Sequence, residues 1–483
     1  MHADLIIRGG RVIDGTGEPS FEADVAVRDE RIVAVGDLSD WQAGISYDAG
    51  GKVVAPGFID PHVHHDEAVL TDPLLPCMTS QGVTTIINGN CGFSIAPLTY
   101  SGHLPAPMDL IVEQQRPRFA SYQDYRTAIE QAPPAVNTAC LIGHGSLRLN
   151  EVQDLNRPAD KQELAAMQRS LDQALSEGGI GLSTGTFYAI ARAAPTDELI
   201  AMAKITQGHG KLYTTHMRDE TDLIIDALNE TFEVGRTSGC GVHISHHKCA
   251  GLANHGRSVE TLPLIEAAIK AQDVGLDTTP WTAGSTILNS GRHKQATRVI
   301  VCESEPHPEL AGQDLSVIAE KWGTSLEETI DKLLPATGIF FIMDEADVQR
   351  ILSFKHTMIC SDGIHKGAHP HPRLWGTFPR VLGHYVRDEK LFSLEQAVKR
   401  MTSMPADRFG LGLRGRIAVD HYADITVFDA NTVQERANFE TPIQASAGIE
   451  RVFVNGRLVW DGEQSTGNRP GKHLDRTAAT QVV

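Results

Sequence analysis

The sequence predicts an α/β fold: a (β/α)8 TIM-like barrel, a small β domain assembled from both ends of the chain, and an inserted subdomain near the barrel mouth. Three observations predict it. Eight short apolar strand candidates alternate with helical stretches between residues 53 and 363, the pattern of a parallel sheet wrapped by helices. Runs that alternate apolar and polar residues lie near both termini. Residues 284–345 are too long for one strand-to-helix connection.

The first 54 residues, through LIIRGGRVIDG and ADVAVRDERIVAVGDL, read as β, with Gly, Asp and Glu at the turns. The same texture returns in YADITVFD (422–429) and IERVFVNGRLVW (449–460). Residues 1–54 plus 415–483 are therefore expected to form one β domain, and 55–414 the barrel. Barrel strands are expected at 53–60, 82–89, 137–143, 178–184, 211–216, 241–246, 274–279 and 357–363. The helices between them are amphipathic: Leu164, Met167, Leu171 and Leu175 share one face of 161–177, and Gly178-Gly179 stops it. A helical pattern over 314–334 makes 284–345 an insertion between the last two strands, a candidate lid.

Composition narrows the function. The 483 residues carry 43 Lys and Arg against 61 Asp and Glu, a formal net charge of −18. That balance argues against nucleic acid or an anionic membrane as partner. No run approaches the ~20 apolar residues of a membrane span, and the N-terminus lacks the basic and apolar regions of an export signal. Seven cysteines without a CxxC pair suit a reducing cytoplasm better than a disulfide scaffold. Oligomeric state leaves no legible mark.

The placement of the histidines carries the chemistry. In a barrel, reactive groups gather where strands end. Strand one ends in Asp60-Pro61-His62-Val63-His64; residues i and i+2 of an extended chain point the same way, so His62 and His64 can offer two imidazoles to one ion. Strand five ends at His216, strand six at His246 and strand eight at Asp362. Cys91, in NGNCGFS after strand two, faces the same mouth, and a thiolate beside imidazoles favours Zn²⁺ over Mg²⁺ or Ca²⁺. The other six cysteines read as small buried hydrophobes.

These residues resemble the amidohydrolase superfamily, metal-dependent hydrolases that combine a barrel with a β-sandwich built from both termini. Members related to dihydroorotase and hydantoinase bridge two metals with a strand-four lysine, which GIGLSTG lacks. The strand-two cysteine, with THMRDE (215–220), ISHHK (244–248), AGST (283–286), SDG (361–363) and HPRLWGTFPRVLG (371–383), is instead similar to the D-aminoacylase branch, the N-acyl-D-amino-acid deacylases. The resemblance implies that Cys91, His216 and His246 hold a tightly bound zinc, with His62, His64 and Asp362 lining a second, weaker position. His247 points to the other side of its strand and reads as structural.

The implied reaction is hydrolysis of a linear amide in an N-acyl-D-amino acid. Asp362, the one strand-end carboxylate, is expected to act as general base toward the attacking water and then as acid toward the leaving amine. Alternatively Asp362 is purely a ligand, and His64 or His144 carries the proton. The substrate carboxylate needs a cation: Arg373 and Lys248 are the candidates, and Tyr188 can add a hydroxyl donor. Within the insertion, Arg292-His293-Lys294 and Arg298 could meet a second carboxylate, which would select N-acyl-D-glutamate or D-aspartate. Phe340, Phe341 and Met343 could instead line an apolar pocket for D-Leu or D-Met. DTTPW (277–281) departs from the tyrosine-bearing sequence of the branch at this place. Rival chemistries are a cyclic amidase, a dipeptidase-like enzyme, or a barrel retained as a non-catalytic scaffold.

Overall fold

The computed structural model describes residues 1–116 and 118–476; the last seven residues of the expected C-terminal β segment, 477–483, lie outside the described residues. All eight barrel strands form where the sequence places them, each shorter than its apolar run. They are Phe58–Asp60, Val83–Asn88, Asn137–Cys140 continued by Ile142–Gly143, Gly181–Gly185, Leu212–His216, Val242–Ile244, Val274–Thr278 and Thr357–Ile359. Each pairs in parallel with the next in chain order, through registers such as Asp60↔Ile86, Asn88↔Cys140, Gly185↔His216 and Thr278↔Ile359. Strand eight returns to strand one: Val63–His64 pairs with Gly363–Ile364, and the Asp362 N–H donates to the His62 carbonyl at 2.9 Å. That closure sets the first and last segments of the candidate site side by side.

Strands from both termini share one eight-stranded sheet. Ile425–Phe428 from the C-terminal part lies antiparallel to Val53–Pro56, which pairs in turn with the long strand His2–Val12. Phe58, the first residue of barrel strand one, stacks on Phe378 with ring centroids 5.7 Å apart and meets Phe428 at 6.2 Å. All three rings are fully buried, so the terminal sheet and the barrel share apolar packing at the root of strand one.

The helix expected over 161–177 spans Lys161–Ser176. Asp160 caps its first turn in a reciprocal box with Glu163, and Met167, Leu171 and Leu175 are buried on its inner face. The insertion holds more than helices. Leu315–Trp322 and Leu326–Leu333 match the helical pattern, but Ala283–Ile287, Val299–Ser304 and Ala336–Phe341 form a small antiparallel sheet. No helix among the described residues is long and apolar enough to cross a membrane.

Candidate metal centre and active site

The strand-end residues meet in one place, and the backbone bends hard to bring them there. Cys91, His246 and Asp362 have φ of +54°, +35° and +50°, a left-handed conformation that costs a non-glycine residue on the order of 1–3 kcal/mol. Local bonds hold each one. Cys91 lies between Gly89 and Gly92, both at positive φ; a Cβ on Gly89 would sit 2.1 Å from the Leu141 carbonyl oxygen, and one on Gly92 2.7 Å from the Gly185 nitrogen. The His246 N–H donates to Asp277 Oδ1 at 2.5 Å, and the Asp362 N–H to the His62 carbonyl.

Two overlapping sets of ligand atoms result. Cys91, His216 and His246 form one, and His62, His64, Cys91 and Asp362 the other; in each set the atoms lie within 4.8 Å of one another. Cys91 Sγ is 3.2 Å from His62 Nε2 and 3.3 Å from His246 Nε2, while Asp362 Oδ1 is 3.6 Å from His62 Nε2 and 3.3 Å from His64 Nε2. All six residues are buried. Among the described residues neither ring nitrogen of His216 finds a hydrogen-bond partner, nor does Nδ1 of His62 or His64. Burial pushes the His62 and His216 imidazoles well below their ordinary pKa, so they stand neutral with a lone pair to offer. Burial also pushes the Cys91 thiol well up, so a thiolate here requires a bound cation. Orphaned imidazole nitrogens around a buried thiol are a donor set that zinc satisfies.

The charged residues around this centre are paired rather than free. Arg373 Nη1 lies 2.7 Å from Asp362 Oδ2. Burial alone would raise the Asp362 pKa, but Arg373 and the neighbouring His246, His64 and His62 hold it well below the ordinary carboxylate range. Lys248 and Arg292 converge on Glu220, which accepts from Lys248 Nζ at 2.5 Å and from Arg292 Nη2 at 2.7 Å. Arg292 also sits 4.7 Å over the Phe187 ring, whose other stacking partner is His216 at 5.3 Å. The Tyr188 hydroxyl lies 3.4 Å from Thr286 Oγ1.

Most of these groups line one cavity. Its polar wall includes His64, Cys91, His216, His246, Lys248, Arg292, Asp362, Arg373 and Tyr188, and its apolar wall Phe93, Ile111, Ile342 and Ile364. His62 is fully buried beneath that surface. Other residues singled out from the sequence lie elsewhere. Lys294 is 66 % exposed and faces Glu327, and Arg298 pairs with Asp314, so the basic run enters the pocket through Arg292 alone. Phe340 and Met343 pack into the core; Ile342, between them and unmarked in the sequence, reaches the cavity. His144 Nε2 is bound to Glu198 at 3.0 Å and does not line the pocket, whereas His64 does. His247 bonds Thr261 at 3.0 Å, away from the centre, as its strand position implies.

Sequence reasoning missed Glu220 and Asp277. Glu220 stands inside the quoted THMRDE stretch, but its partners are 28 and 72 residues away. Asp277 opens DTTPW; beyond the His246 N–H it engages His243 Nε2 at 2.7 Å and Cys360 Sγ at 3.2 Å, and lies 3.9 Å from His62 Nδ1. Its carboxylate is drawn down to about 2: burial opposes ionisation, and the imidazoles of His243 and His62 with the His246 N–H outweigh it.

The profile of the Amidohydrolase family matches residues 46–287 and 329–460, so it covers the barrel strands, all six candidate ligands and much of the terminal sheet. This chain belongs to the amidohydrolase family. The internal stretch left unmatched, 288–328, falls within the insertion. The chain is 50% identical over 476 residues to a D-aminoacylase of Alcaligenes xylosoxydans xylosoxydans, covering 99% of this chain and 98% of that one. It superposes with a TM-score of 0.96, at 50% identity and over 98% and 100% of the two chains, on a D-aminoacylase whose binuclear metal centre shows one-metal activation and second-metal attenuation. A third amidohydrolase, the N-acyl-D-glutamate deacylase of Bordetella bronchiseptica complexed with zinc and a phosphonate inhibitor, matches with a TM-score of 0.96 at 42% identity, over 99% and 100%. Together these relatives set the chain in the D-aminoacylase branch of the family.

Proposed function

We propose that this amidohydrolase is a zinc-dependent deacylase of N-acyl-D-amino acids, releasing a carboxylate and the free D-amino acid. The observation that carries the reading is the buried Cys91, His216 and His246 set sharing a cavity with the Arg373–Asp362 pair. Those three residues would hold the tightly bound zinc, and His62, His64 and Asp362 a weaker second position. Held there, a zinc would supply an activated water near neutral pH and Lewis-acid polarisation of the scissile carbonyl. The Asp362 carboxylate, kept ionised by its neighbours, takes the proton released as water attacks and returns it to the departing nitrogen. Arg373 retains donors beyond those on Asp362 for a substrate carboxylate: its Nε has no partner among the described residues. Lys248 and Tyr188, on the same wall, orient that carboxylate.

Side-chain preference follows from the balance of the walls. Arg292 gives Nη2 to Glu220 and keeps Nη1 unpaired among the described residues, whereas four apolar side chains, Phe93, Ile111, Ile342 and Ile364, face the same cavity. That wall suits D-methionine or D-leucine better than D-glutamate or D-aspartate. Preference for the D hand rests on the relatives. A cytoplasmic location accords with seven free, buried thiols. The test is hydrolysis of paired N-acetyl-D- and N-acetyl-L-methionine, with N-acetyl-D-glutamate alongside, before and after chelation and zinc readdition. D-selective release, lost on chelation and restored by zinc, is expected; absence of any D-selective deacylation overturns the assignment.

A further inference from the structure

We infer that Glu220 is the positioning residue of the tight zinc site, acting on both of its imidazoles from behind; this rests on Cys91, His216 and His246 being the zinc ligands. His246 turns Nε2 toward Cys91, at 3.3 Å, and Nδ1 toward Glu220 Oε1, at 3.1 Å. An imidazole that offers Nε2 to a metal carries its proton on Nδ1; Lys248 Nζ also lies 2.8 Å from that nitrogen, so with Nε2 on a metal the Nδ1 proton turns to Glu220 rather than to the ammonium. The other oxygen, Oε2, lies 3.5 Å from His216 Nε2. One carboxylate, 1 % exposed, thus backs two ligands on two different strands. A carboxylate behind a metal-binding histidine fixes its tautomer and orientation and raises its basicity, and losing such a partner typically costs ~10- to 100-fold in metal affinity.

The second set of ligands has no equivalent support. His64 Nδ1 lacks a partner, His62 Nδ1 is 3.9 Å from Asp277, and Asp362 is held by Arg373. The difference in backing gives the two positions different affinities. Lys248 and Arg292 compete with the imidazoles for the oxygens of Glu220, and Arg292 does so at the oxygen nearer His216.

The experiment measures zinc dissociation constants on the full-length protein by competition with a chelator of known affinity, together with the absorption spectrum of the cobalt-substituted form. Glu220→Gln keeps the shape and removes the charge; its zinc dissociation constant is expected to rise about 10- to 100-fold, with a shifted cobalt spectrum. Arg292→Met frees Oε2 for His216, and this variant is expected to hold zinc at least as tightly as wild type. A generally loosened site would weaken both. Zinc affinity of Glu220→Gln within threefold of wild type overturns the inference, and so does a tenfold fall in Arg292→Met. Should Glu220→Gln fail to fold, as judged by circular dichroism of the metal-free protein, Glu220→Asp replaces it. Its carboxylate is withdrawn by one methylene, so about a tenfold loss is expected and an unchanged affinity refutes. Wild-type protein that binds no zinc at all would overturn the ligand assignment itself, a separate failure.

Discussion

Arg373 is asked to grip Asp362 and a substrate carboxylate together, and replacing it by Lys and by Met separates the two tasks. The Arg373–Asp362 contact is 2.7 Å long with side chains 3 % and 11 % exposed. At an effective dielectric constant near 20, Coulomb's law gives about 6 kcal/mol of attraction before desolvation is subtracted. Breaking a buried pair by removing one partner costs about 3–5 kcal/mol, so Arg373→Met is expected to lower folding stability on that scale. Lysine keeps the charge beside Asp362 and stays close to wild-type stability, but its ammonium cannot serve two carboxylates with the geometry of a guanidinium. The lost charge-assisted hydrogen bond to substrate is worth about 1.5–3 kcal/mol, which at 1.4 kcal/mol per tenfold raises KM by roughly 10- to 100-fold. In Arg373→Lys, kcat is expected to fall far less than KM rises, whereas Arg373→Met loses both. Steady-state kinetics on N-acetyl-D-methionine, with thermal unfolding of each variant, supply the numbers. A wild-type KM in the Met variant refutes the role given to Arg373.

Three further outcomes are expected. Lys294→Leu leaves the ratio of kcat/KM for N-acetyl-D-methionine and N-acetyl-D-glutamate within twofold of wild type, because that side chain faces Glu327 and solvent; a larger change places Lys294 at the substrate. Acid weakens the fold through Glu198, which accepts from His144 at 3.0 Å and from Arg148 at 2.5 Å. Burial would raise its pKa, yet His144 and Arg148 hold it at about 2, against 4.5 for an ordinary Glu. The unfolded chain therefore binds more protons between those values, so this contribution is full above pH 4.5 and drains away toward pH 2. Burial also lowers His144 below its ordinary 6.5, despite the opposing carboxylate, adding acid sensitivity from that pH downward. Thermal unfolding of Glu198→Gln against pH should start lower at pH 7 and fall less steeply than wild type. Asp60 and Asp66, pushed up to about 7 by burial, act in the opposite sense but are common to both proteins; parallel curves would dismiss Glu198 as the source. Finally, Gly92→Ala should cost several kcal/mol and displace Cys91, since a Cβ there meets the Gly185 backbone at 2.7 Å at a φ of +82°; zinc content near one per folded chain in this variant would contradict the dependence of the thiol on that turn.

Much of the centre was legible because its signals are local. A ligand at a strand end announces itself by an apolar run followed by His, Cys or Asp, and eight such runs fix which residues share a mouth. The glycines around Cys91 mark a sharp turn on their own. Glu220 and Asp277 could not be read in this way. Each is one acid among 61, and each gains its meaning from partners on other strands. The antiparallel sheet of the insertion was hidden for a related reason. AGSTI, VIVCES and ATGIFF lack clean alternation, because both faces of the middle strand, Ala336–Phe341, are largely covered, with only Thr337 and Phe341 partly exposed. The sequence also marked Phe340, Phe341 and Met343 for the pocket, but Ile342, the first residue beyond the strand, lines it instead.

Arg292 matters to anyone who would rebuild this enzyme. The stretch between strands seven and eight that the family profile leaves unmatched, 288–328, looks on paper like a self-contained cassette for exchange among related deacylases. Arg292 lies inside that cassette while the carboxylate it neutralises, Glu220, belongs to the barrel. A graft that omits the arginine would leave a buried negative charge short of one counter-ion, directly behind two ligands. Modules cut at 288 and 328 are therefore interchangeable only among donors that bring a cation to the same spot, and chimeras should be screened first for folding stability and only then for a new substrate.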